Sequence, residues 1–266
     1  MIDNDENAGS ATRDSIFSGR LALEQPASGY RFAVDSVLLA WFAGRKPARR
    51  CLDLGCGCGV VGLGLLSSGG AMNAVGVEIQ ARLAKLATTN GRASFPDAYT
   101  LVEGDLRSDL RGIEGEFDLV VSNPPFWAVD TGRQPPDEER SIACHEIKAT
   151  IEEVAMAAKR RLNQRKGRFC CVFPARRLDD LLRGLEAAGL FAVEALFVHP
   201  IMDKPAEMVL MEARPGKGGK LRVTQPLFLK TRDGRDTPEA AWILEGRFIS
   251  RGDPSEAGGR VDGVQD

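Results

Sequence analysis

The sequence lacks the features that mark several large classes of protein. It contains only two histidines, and neither has carboxylates or cysteines at the spacing of a metal site. No apolar run approaches the roughly 20 residues that are needed to span a bilayer. The acidic, polar stretch 1–15 is unlike a secretory signal peptide. These absences predict a soluble protein without a bound metal and without a membrane partner.

The chain also carries little net charge. Its formal charge is −2 at pH 7, and its isoelectric point is about 5.9. A protein that binds nucleic acid through its overall charge would be basic, so any contact with RNA must depend on a local patch. Hydrophobic residues make up 43% of the chain and charged residues 27%, which is ordinary for one globular domain with additions.

The six cysteines do not form a recognisable framework. None belongs to a C-x-x-C pair, and Cys56 and Cys58 are too close together for an ordinary zinc chelate. We interpret the cysteines as reduced thiols that serve as small apolar side chains. This usage predicts a cytoplasmic protein.

Short apolar runs alternate with helical stretches from residue 50 onward. The alternation predicts a Rossmann-like, doubly wound α/β fold, in which helices cover both faces of a mostly parallel sheet of seven strands. The last two strands are so close in sequence that they are expected to form an antiparallel pair. The predicted strands are 50–54, 73–78, 100–103, 117–122, 167–173, 191–198 and 206–212.

The composition divides the chain into a central domain and two tails. Residues 18–250 are predicted to form the domain, with an N-terminal lid and helix at 18–49 and a basic C-terminal extension at 213–250. The polar segments 1–17 and 251–266 are predicted to be flexible tails.

A glycine-rich turn with the pattern D-x-G-x-G-x-G follows the first predicted strand. Its acid is Asp53, and its glycines are Gly55, Gly57 and Gly59. The glycines permit positive φ and let a ligand approach the backbone closely. A carboxylate at Asp53 would repel a pyrophosphate and attract a cationic amino group. S-adenosyl-L-methionine has such an amino group, a sulfonium and no phosphate, so the turn predicts this cofactor.

Acidic residues also follow the next two strands. Glu78 ends the second strand, where it can accept hydrogen bonds from both ribose hydroxyls, as an acid does in NAD enzymes. Asp105 follows the third strand and could accept from the exocyclic amine of adenine while Leu106 covers the ring; alternatively, Asp105 caps a helix. In this order, the turn and the acids resemble the class I methyltransferase superfamily over residues 35–212.

The fourth strand ends in an N-P-P-F tetrapeptide. It consists of Asn123, Pro124, Pro125 and Phe126. An exocyclic amine is a poor nucleophile because its lone pair is delocalised, and acceptors at its N–H groups activate it. The side-chain oxygen of Asn123 and the carbonyl of Pro124 offer such acceptors. Pro125 fixes the backbone, and Phe126 offers a face on which a planar group can stack. This signature resembles the amino-methyltransferases, which act on adenine N6, guanine N2 or a glutamine side chain.

A segment upstream of the glycine turn makes the resemblance specific to one family. Residues 23–40 include Asp35, which either caps a helix or lies near the methionine end of the cofactor, below a lid formed by Tyr30 and Phe32. With 122–126, this segment resembles the family of tRNA1(Val) adenine-N6 methyltransferases, which implies a tRNA acceptor. Further matches, within a resemblance that covers about residues 18–230, lie at 144–146, 199–200 and 204–206.

Some residues keep two interpretations. His145 and His199 can contact the substrate or only support the fold, and Trp127 departs from the pattern of the family. Positive charge is concentrated at 159–168, where it can be a solvated helix end, and at 214–235, here called the basic strip, which can contact RNA phosphates.

Three functions follow from these patterns. The first is adenine-N6 methylation of tRNA with S-adenosyl-L-methionine. The second keeps the chemistry but changes the acceptor to an rRNA guanine N2 or a protein glutamine N5. The third is a non-catalytic RNA-binding protein that retains this fold.

Overall fold

The structure is a computed structural model that describes residues 11–27, 34–108, 112–124, 149–216 and 218–247. It contains a mixed sheet of nine strands and a separate hairpin of two strands. The strands are β1 (Ala11–Ile16), β2 (Leu21–Pro26), β3 (Ala48–Leu54), β4 (Ala71–Glu78), β5 (Tyr99–Glu103), β6 (Leu119–Ser122), β7 (Arg168–Pro174), β8 (Leu190–Ile201), β9 (Met208–Pro215), β10 (Arg222–Val223) and β11 (Leu227–Lys230).

The large sheet confirms the predicted α/β fold. Its order is β10-β8-β9-β7-β6-β3-β4-β5, and β11 also pairs with β8. The pairs from β7 through β6, β3 and β4 to β5 are parallel, whereas β9 runs antiparallel to both β7 and β8. The two close strands at the end of the predicted sheet therefore form the expected antiparallel pair. The short strands β10 and β11 extend the seven predicted strands along the edge of β8.

Helices cover both faces of the sheet because its strands are apolar on both sides. Cys51 and Val121 belong to one core cluster, and their neighbours Leu52 and Val120 belong to the other. The first cluster packs under α1, α2, α3, α6 and the hairpin, and the second packs under α4 and α5. The helices are α1 (Val34–Gly44), α2 (Val60–Ser67), α3 (Ala81–Ser94), α4 (Ile151–Arg161), α5 (Leu178–Ala187) and α6 (Pro238–Leu244), with a 3-10 turn at Ala175–Arg177.

The hairpin corrects one part of the predicted domain organisation. Residues 11–16 were expected to belong to a flexible tail, but they pair with Leu21–Pro26 in a regular antiparallel register. The buried side chains of Ile16 and Phe17 hold this segment on the core. Asn90 of α3 binds the other strand of the hairpin. The Asn90 side chain accepts from the Glu24 N–H at 2.7 Å and donates to the Glu24 carbonyl at 2.8 Å. The predicted tail 251–266 lies outside the described residues.

Parallel pairing brings the functional segments to one edge of the sheet. Asp53 pairs with Val121 across β3 and β6, and Glu78 pairs with Glu103 across β4 and β5. The carboxyl ends of these strands therefore lie side by side, which is where open α/β sheets bind their ligands.

A buried ion-pair network stabilises a different part of the sheet. Glu194 on β8 and Glu212 on β9 are each only 2% exposed. Glu194 binds Arg45 and Arg222, both at 2.7 Å, and Glu212 binds Lys46 at 2.7 Å. Although burial alone would raise the pKa of Glu194, the attraction of the surrounding cations holds that pKa below its ordinary value.

We expect Glu194→Gln to lower the free energy of unfolding by about 1–3 kcal/mol at pH 7, because it leaves Arg45 and Arg222 without their anion. The Glu194 pKa is lowered in the folded state, so this stabilisation is present above the unfolded-state pKa and is lost as the pH falls through the folded-state value. Urea denaturation at several pH values measures both effects. Glu186→Gln, at an exposed position of α5, is the control, and equal stability of the two variants at pH 7 would contradict the network's role.

Candidate active site

The glycine-rich turn adopts the backbone that its sequence predicts. Gly55, Gly57 and Gly59 have φ values of 70°, 58° and 90°, a region that favours glycine. The N–H groups of Gly55 and Cys56 donate to the Val77 carbonyl at 2.9 and 3.0 Å. These bonds hold the turn against the end of β4, and α2 begins directly after Gly59.

Asp53 contributes an incompletely bonded carboxylate to this turn. Its side chain is buried, with only 1% exposed. Its Oδ2 atom accepts from the Gly62 N–H at 2.9 Å, whereas its Oδ1 atom has no hydrogen-bond partner among the described residues. Burial raises the pKa of Asp53 to about 7, and the nearby Glu78 contributes to this rise. A buried carboxylate in this state is a favourable site for a cation.

Glu78 lies on the other side of the turn. Its carboxylate accepts from the Gly57 N–H at 2.8 Å and from the Gln80 N–H at 2.9 Å. Burial raises the Glu78 pKa, and these backbone bonds oppose the rise. Each oxygen keeps further acceptor capacity, so the predicted bonds to ribose hydroxyls are compatible with this geometry.

Asp105 has a different partner from the predicted one. Its Oδ2 atom accepts from Arg107 Nη2 at 2.6 Å, and this interaction with Arg107 lowers the Asp105 pKa. Asp105 does not cap a regular helix among the described residues. Leu106 is partly buried against the second core cluster. Their contact with adenine remains a prediction.

The contact between Tyr99 and the glycine turn was not predicted from the sequence. The Tyr99 hydroxyl donates to Cys56 Sγ at 3.7 Å, and a Cβ atom at Gly76 would lie only 2.4 Å from that hydroxyl oxygen. Gly76 is therefore required for Tyr99 to reach the turn. The sequence signal was a glycine inside a predicted strand, which often marks a close backbone approach.

Asn123 is positioned next to this cofactor edge by two serines. Ser122, the last residue of β6, donates from its hydroxyl to the Leu54 carbonyl at 2.8 Å. Asn123 donates from Nδ2 to the Ser36 hydroxyl at 3.0 Å, and the Ser36 N–H donates to Asp35 Oδ1 at 2.7 Å. Asp35 lies in the first turn of α1, and these bonds link it through Ser36 to Asn123.

The structure describes only the first half of the N-P-P-F tetrapeptide. Pro124 is buried next to the partly exposed Asn123. Several other predicted residues lie outside the described part of the chain. They are Tyr30, Phe32, Pro125, Phe126, Trp127 and His145.

His199 supports the turn between β8 and β9. Its Nδ1 atom lies 2.7 Å from the Lys204 carbonyl oxygen, and its ring centroid lies 4.8 Å from that of Phe228. The bond spans a turn in which Asp203 has a positive φ of 69°. These contacts favour the structural interpretation of His199.

The basic strip divides between two parts of the molecule. Arg214 and Arg222 bind the buried Glu212 and Glu194 of the ion-pair network. Lys230 binds Asp236 at 3.0 Å, and Arg232 binds Asp203. Two arginines of the basic cluster at 159–168 also bind other parts of the protein. Arg160 donates to the Leu106 carbonyl and Arg161 to the Ile113 carbonyl.

The described residues offer neither a metal site nor a membrane-spanning helix. They contain no cluster of three or more histidine, cysteine, aspartate or glutamate side chains that could hold a metal ion. None of their helices is long and apolar enough to cross a membrane.

Comparison with known proteins identifies the family. The model of the methyltransferase small domain matches residues 33–135. A tRNA1(Val) (adenine(37)-N6)-methyltransferase from Porphyromonas gingivalis is 32% identical over 241 residues, which are 86% of this chain and 93% of that protein. The chain belongs to this methyltransferase family. A family member from Dickeya chrysanthemi is 30% identical over 70% of this chain and 73% of its own length.

A solved structure supports the fold of this family member. A predicted O-methyltransferase from Agrobacterium tumefaciens superposes with a TM-score of 0.61 at 21% identity, over 81% of this chain and 97% of the other. As a member of the family shown by its sequence, the protein is an S-adenosylmethionine-dependent methyltransferase. Its site fits that cofactor, because the buried Oδ1 atom of Asp53 lacks a partner among the described residues and the neighbouring Gly55 is exposed, with no atom within 4 Å of the position of a Cβ.

We expect the affinity for S-adenosyl-L-methionine to rise roughly tenfold or more between about pH 5.5 and 7.5. Below its pKa of about 7, Asp53 is neutral in the free protein, so a cationic amino group binds well only after the carboxyl group has lost its proton. Isothermal titration calorimetry across this range measures the effect. Asp53→Asn should bind weakly and without this pH dependence, whereas Asp97→Asn, at an exposed position, should behave as the wild type. A wild-type affinity that does not change with pH would contradict the assignment.

Proposed function

We propose that this methyltransferase transfers a methyl group to N6 of an adenosine in tRNA. The observation that carries the proposal is the position of Asn123, directly after β6 and bonded to Ser36, beside the strand that carries Asp53. The names of the relatives from Porphyromonas gingivalis and Dickeya chrysanthemi support the same acceptor. Such an acceptor would meet the protein in the cytoplasm, where the five cysteines that the structure describes, all free and buried, would remain reduced.

The cofactor would be held by acidic residues at the edge of the sheet where the parallel strands end, here called the carboxyl edge. Asp53 binds its amino group, Glu78 its ribose hydroxyls, and Asp35 lies at its methionine end. The backbone at Gly55, Gly57 and Gly59 lets it approach closely. S-adenosyl-L-methionine supplies an electrophilic methyl group on a positively charged sulfur.

Asp105 and Leu106 would contact the adenine of the cofactor. In the structure, the Asp105 carboxylate faces Arg107, and its side chain is 31% exposed. An exposed ion pair of this kind contributes little stability. The carboxylate can therefore exchange Arg107 for an adenine amine, or accept from both, at small cost.

The acceptor amine would be polarised by two fixed oxygen atoms. The Oδ1 atom of Asn123 and the carbonyl of Pro124 accept its two N–H groups and draw the nitrogen lone pair out of the ring system. Pro125 keeps this backbone rigid, and Phe126 stacks on the base. Stabilisation of this kind is preorganised, and the surplus proton of the amine passes to water after transfer.

Phosphates of the tRNA would lie along the carboxyl edge beyond β6, near the end of the basic strip that contains Lys230 and Arg232. Ala175 donates to the Glu207 carbonyl at 2.9 Å, which places Arg176 beside the chain that enters β9. Lys204 lies in the turn before that strand. Arg176 and Lys204 are exposed, and neither forms an ion pair with another described residue. Such cations can bind phosphates without first losing a protein partner.

We expect the wild-type protein, with labelled S-adenosyl-L-methionine, to label total tRNA and to yield N6-methyladenosine after nucleoside digestion and mass spectrometry. Asn123→Ala should lower the rate by about 100-fold or more, because removing one such acceptor has effects of this size, and should retain its calorimetric affinity for the cofactor. Label in rRNA as N2-methylguanine, or in a protein as N5-methylglutamine, would replace the proposed acceptor. Absence of cofactor binding in the wild type would instead indicate a non-catalytic RNA-binding protein.

We expect Arg176→Ala and Lys204→Ala each to weaken tRNA binding and to reduce the slope of log affinity against log salt by about one. Glu207→Gln removes an exposed acid from the same edge and should strengthen binding. Filter binding at several salt concentrations measures these changes. Arg165→Ala, at an exposed position outside this edge, is the matched control. Equal effects of Arg165→Ala and Arg176→Ala would contradict a phosphate site at this edge.

A further inference from the structure

The hydrogen bond between Asn123 and Ser36 has a chemical consequence for the acceptor site. A carboxamide has a donor end and an acceptor end of nearly equal size. Only the oxygen end can accept from an amine, and the nitrogen end would present its own N–H groups to the N–H groups of the substrate. The side chain of Asn123 must therefore be held in one of its two orientations.

The structure holds the productive orientation. The Nδ2 atom of Asn123 donates to the Ser36 hydroxyl at 3.0 Å, which leaves Oδ1 available as an acceptor. No other described residue forms a hydrogen bond to the Asn123 side chain. The orientation therefore depends on Ser36 in the described part of the molecule.

Ser36 is itself fixed in place. It is 3% exposed and lies in the first turn of α1, where its N–H donates to Asp35 Oδ1 at 2.7 Å. The helix is anchored by buried side chains such as Leu38 and Leu39, both 0% exposed. A hydroxyl in this position can restrain Asn123 with little loss of entropy at the time of reaction.

We propose that Ser36 is a positioning residue, which acts on the acceptor amine through the orientation of the Asn123 amide. The proposal rests on the proposed function. It gives α1 a part in the reaction that is separate from cofactor binding, because Ser36 acts on the half of the site that receives the amine.

Ser36→Ala should lower kcat for tRNA methylation by roughly tenfold, the effect of one lost hydrogen bond. The KM for tRNA and the affinity for S-adenosyl-L-methionine should change less than about twofold, because binding does not depend on the orientation of the amide. Ser36→Thr retains a hydroxyl and should restore most of the rate. Ser68→Ala removes a serine hydroxyl that bonds to the Gly64 carbonyl at 2.8 Å, and it should leave kcat unchanged.

A second background separates positioning from a general structural role. In Asn123→Asp, both carboxylate oxygens are acceptors, so no orientation has to be chosen. Adding Ser36→Ala to that variant should therefore lower its kcat less than about twofold. A tenfold loss in both backgrounds would overturn the proposal, and so would an unchanged kcat of Ser36→Ala in the wild-type background.

The side-chain amide of Asn123 gives a readout that does not depend on the acceptor. Its Nδ2 protons can be assigned in a ¹H–¹⁵N spectrum, since they disappear in Asn123→Asp. We expect one of them to shift upfield in Ser36→Ala and to keep its position in Ser68→Ala. An unchanged resonance in Ser36→Ala overturns the positioning role. A resonance that shifts in Ser36→Ala, together with a wild-type protein that methylates no tRNA, overturns only the proposed function.

Discussion

The site depends on a carboxylate that is buried before any ligand arrives. Asp53 has one oxygen bonded to the start of α2 and the other without a partner among the described residues. Burying an ionised group in this way is unfavourable, and it raises the pKa of Asp53 to about 7. A cation that enters the turn removes this penalty. In the proposed site, this carboxylate would favour an amino group and disfavour a phosphate at the same position, although the turn has the glycines that phosphate sites also use.

The cofactor half and the acceptor half are joined by the central strand pair. β3 is followed by the glycine turn and β6 by Asn123, and the two strands are hydrogen-bonded neighbours. The Ser122 hydroxyl adds a bond to the Leu54 carbonyl at 2.8 Å, directly between the two functional segments. A donor and an acceptor held on adjacent strands keep their separation without help from a flexible loop. This rigidity is what a reaction needs when it depends on alignment more than on proton transfer.

Much of this arrangement was predictable from the sequence, because it depends on local patterns. The apolar strands predicted the sheet, and the glycines predicted the turn, since they permit the positive φ values that the turn adopts. The hairpin was not predictable in the same way, because 11–16 is mostly polar and the hairpin is held by contacts that are distant in sequence, such as those between Asn90 and Glu24. Asp105 was assigned without Arg107, two residues away, although the two side chains bind each other in the structure. Ser36 was not predicted as a site residue because its proposed role depends on its hydrogen bond with Asn123, which is distant in sequence and is brought close only by the fold.

The charged residues show why a count of charges along the chain does not locate an RNA surface. Arg214 and Arg222 belong to the basic strip in sequence, yet they bind glutamates that are 2% exposed. If a phosphate took these cations, Glu194 and Glu212 would keep Arg45 and Lys46 but would each lose a partner of a buried carboxylate, which is unfavourable. Arg176 and Lys204 lie outside the basic strip, but they are exposed and lie at the carboxyl edge of the sheet. Affinity for RNA in a protein of net charge −2 therefore depends on which cations remain free after folding, and this property is determined by tertiary pairing more than by composition.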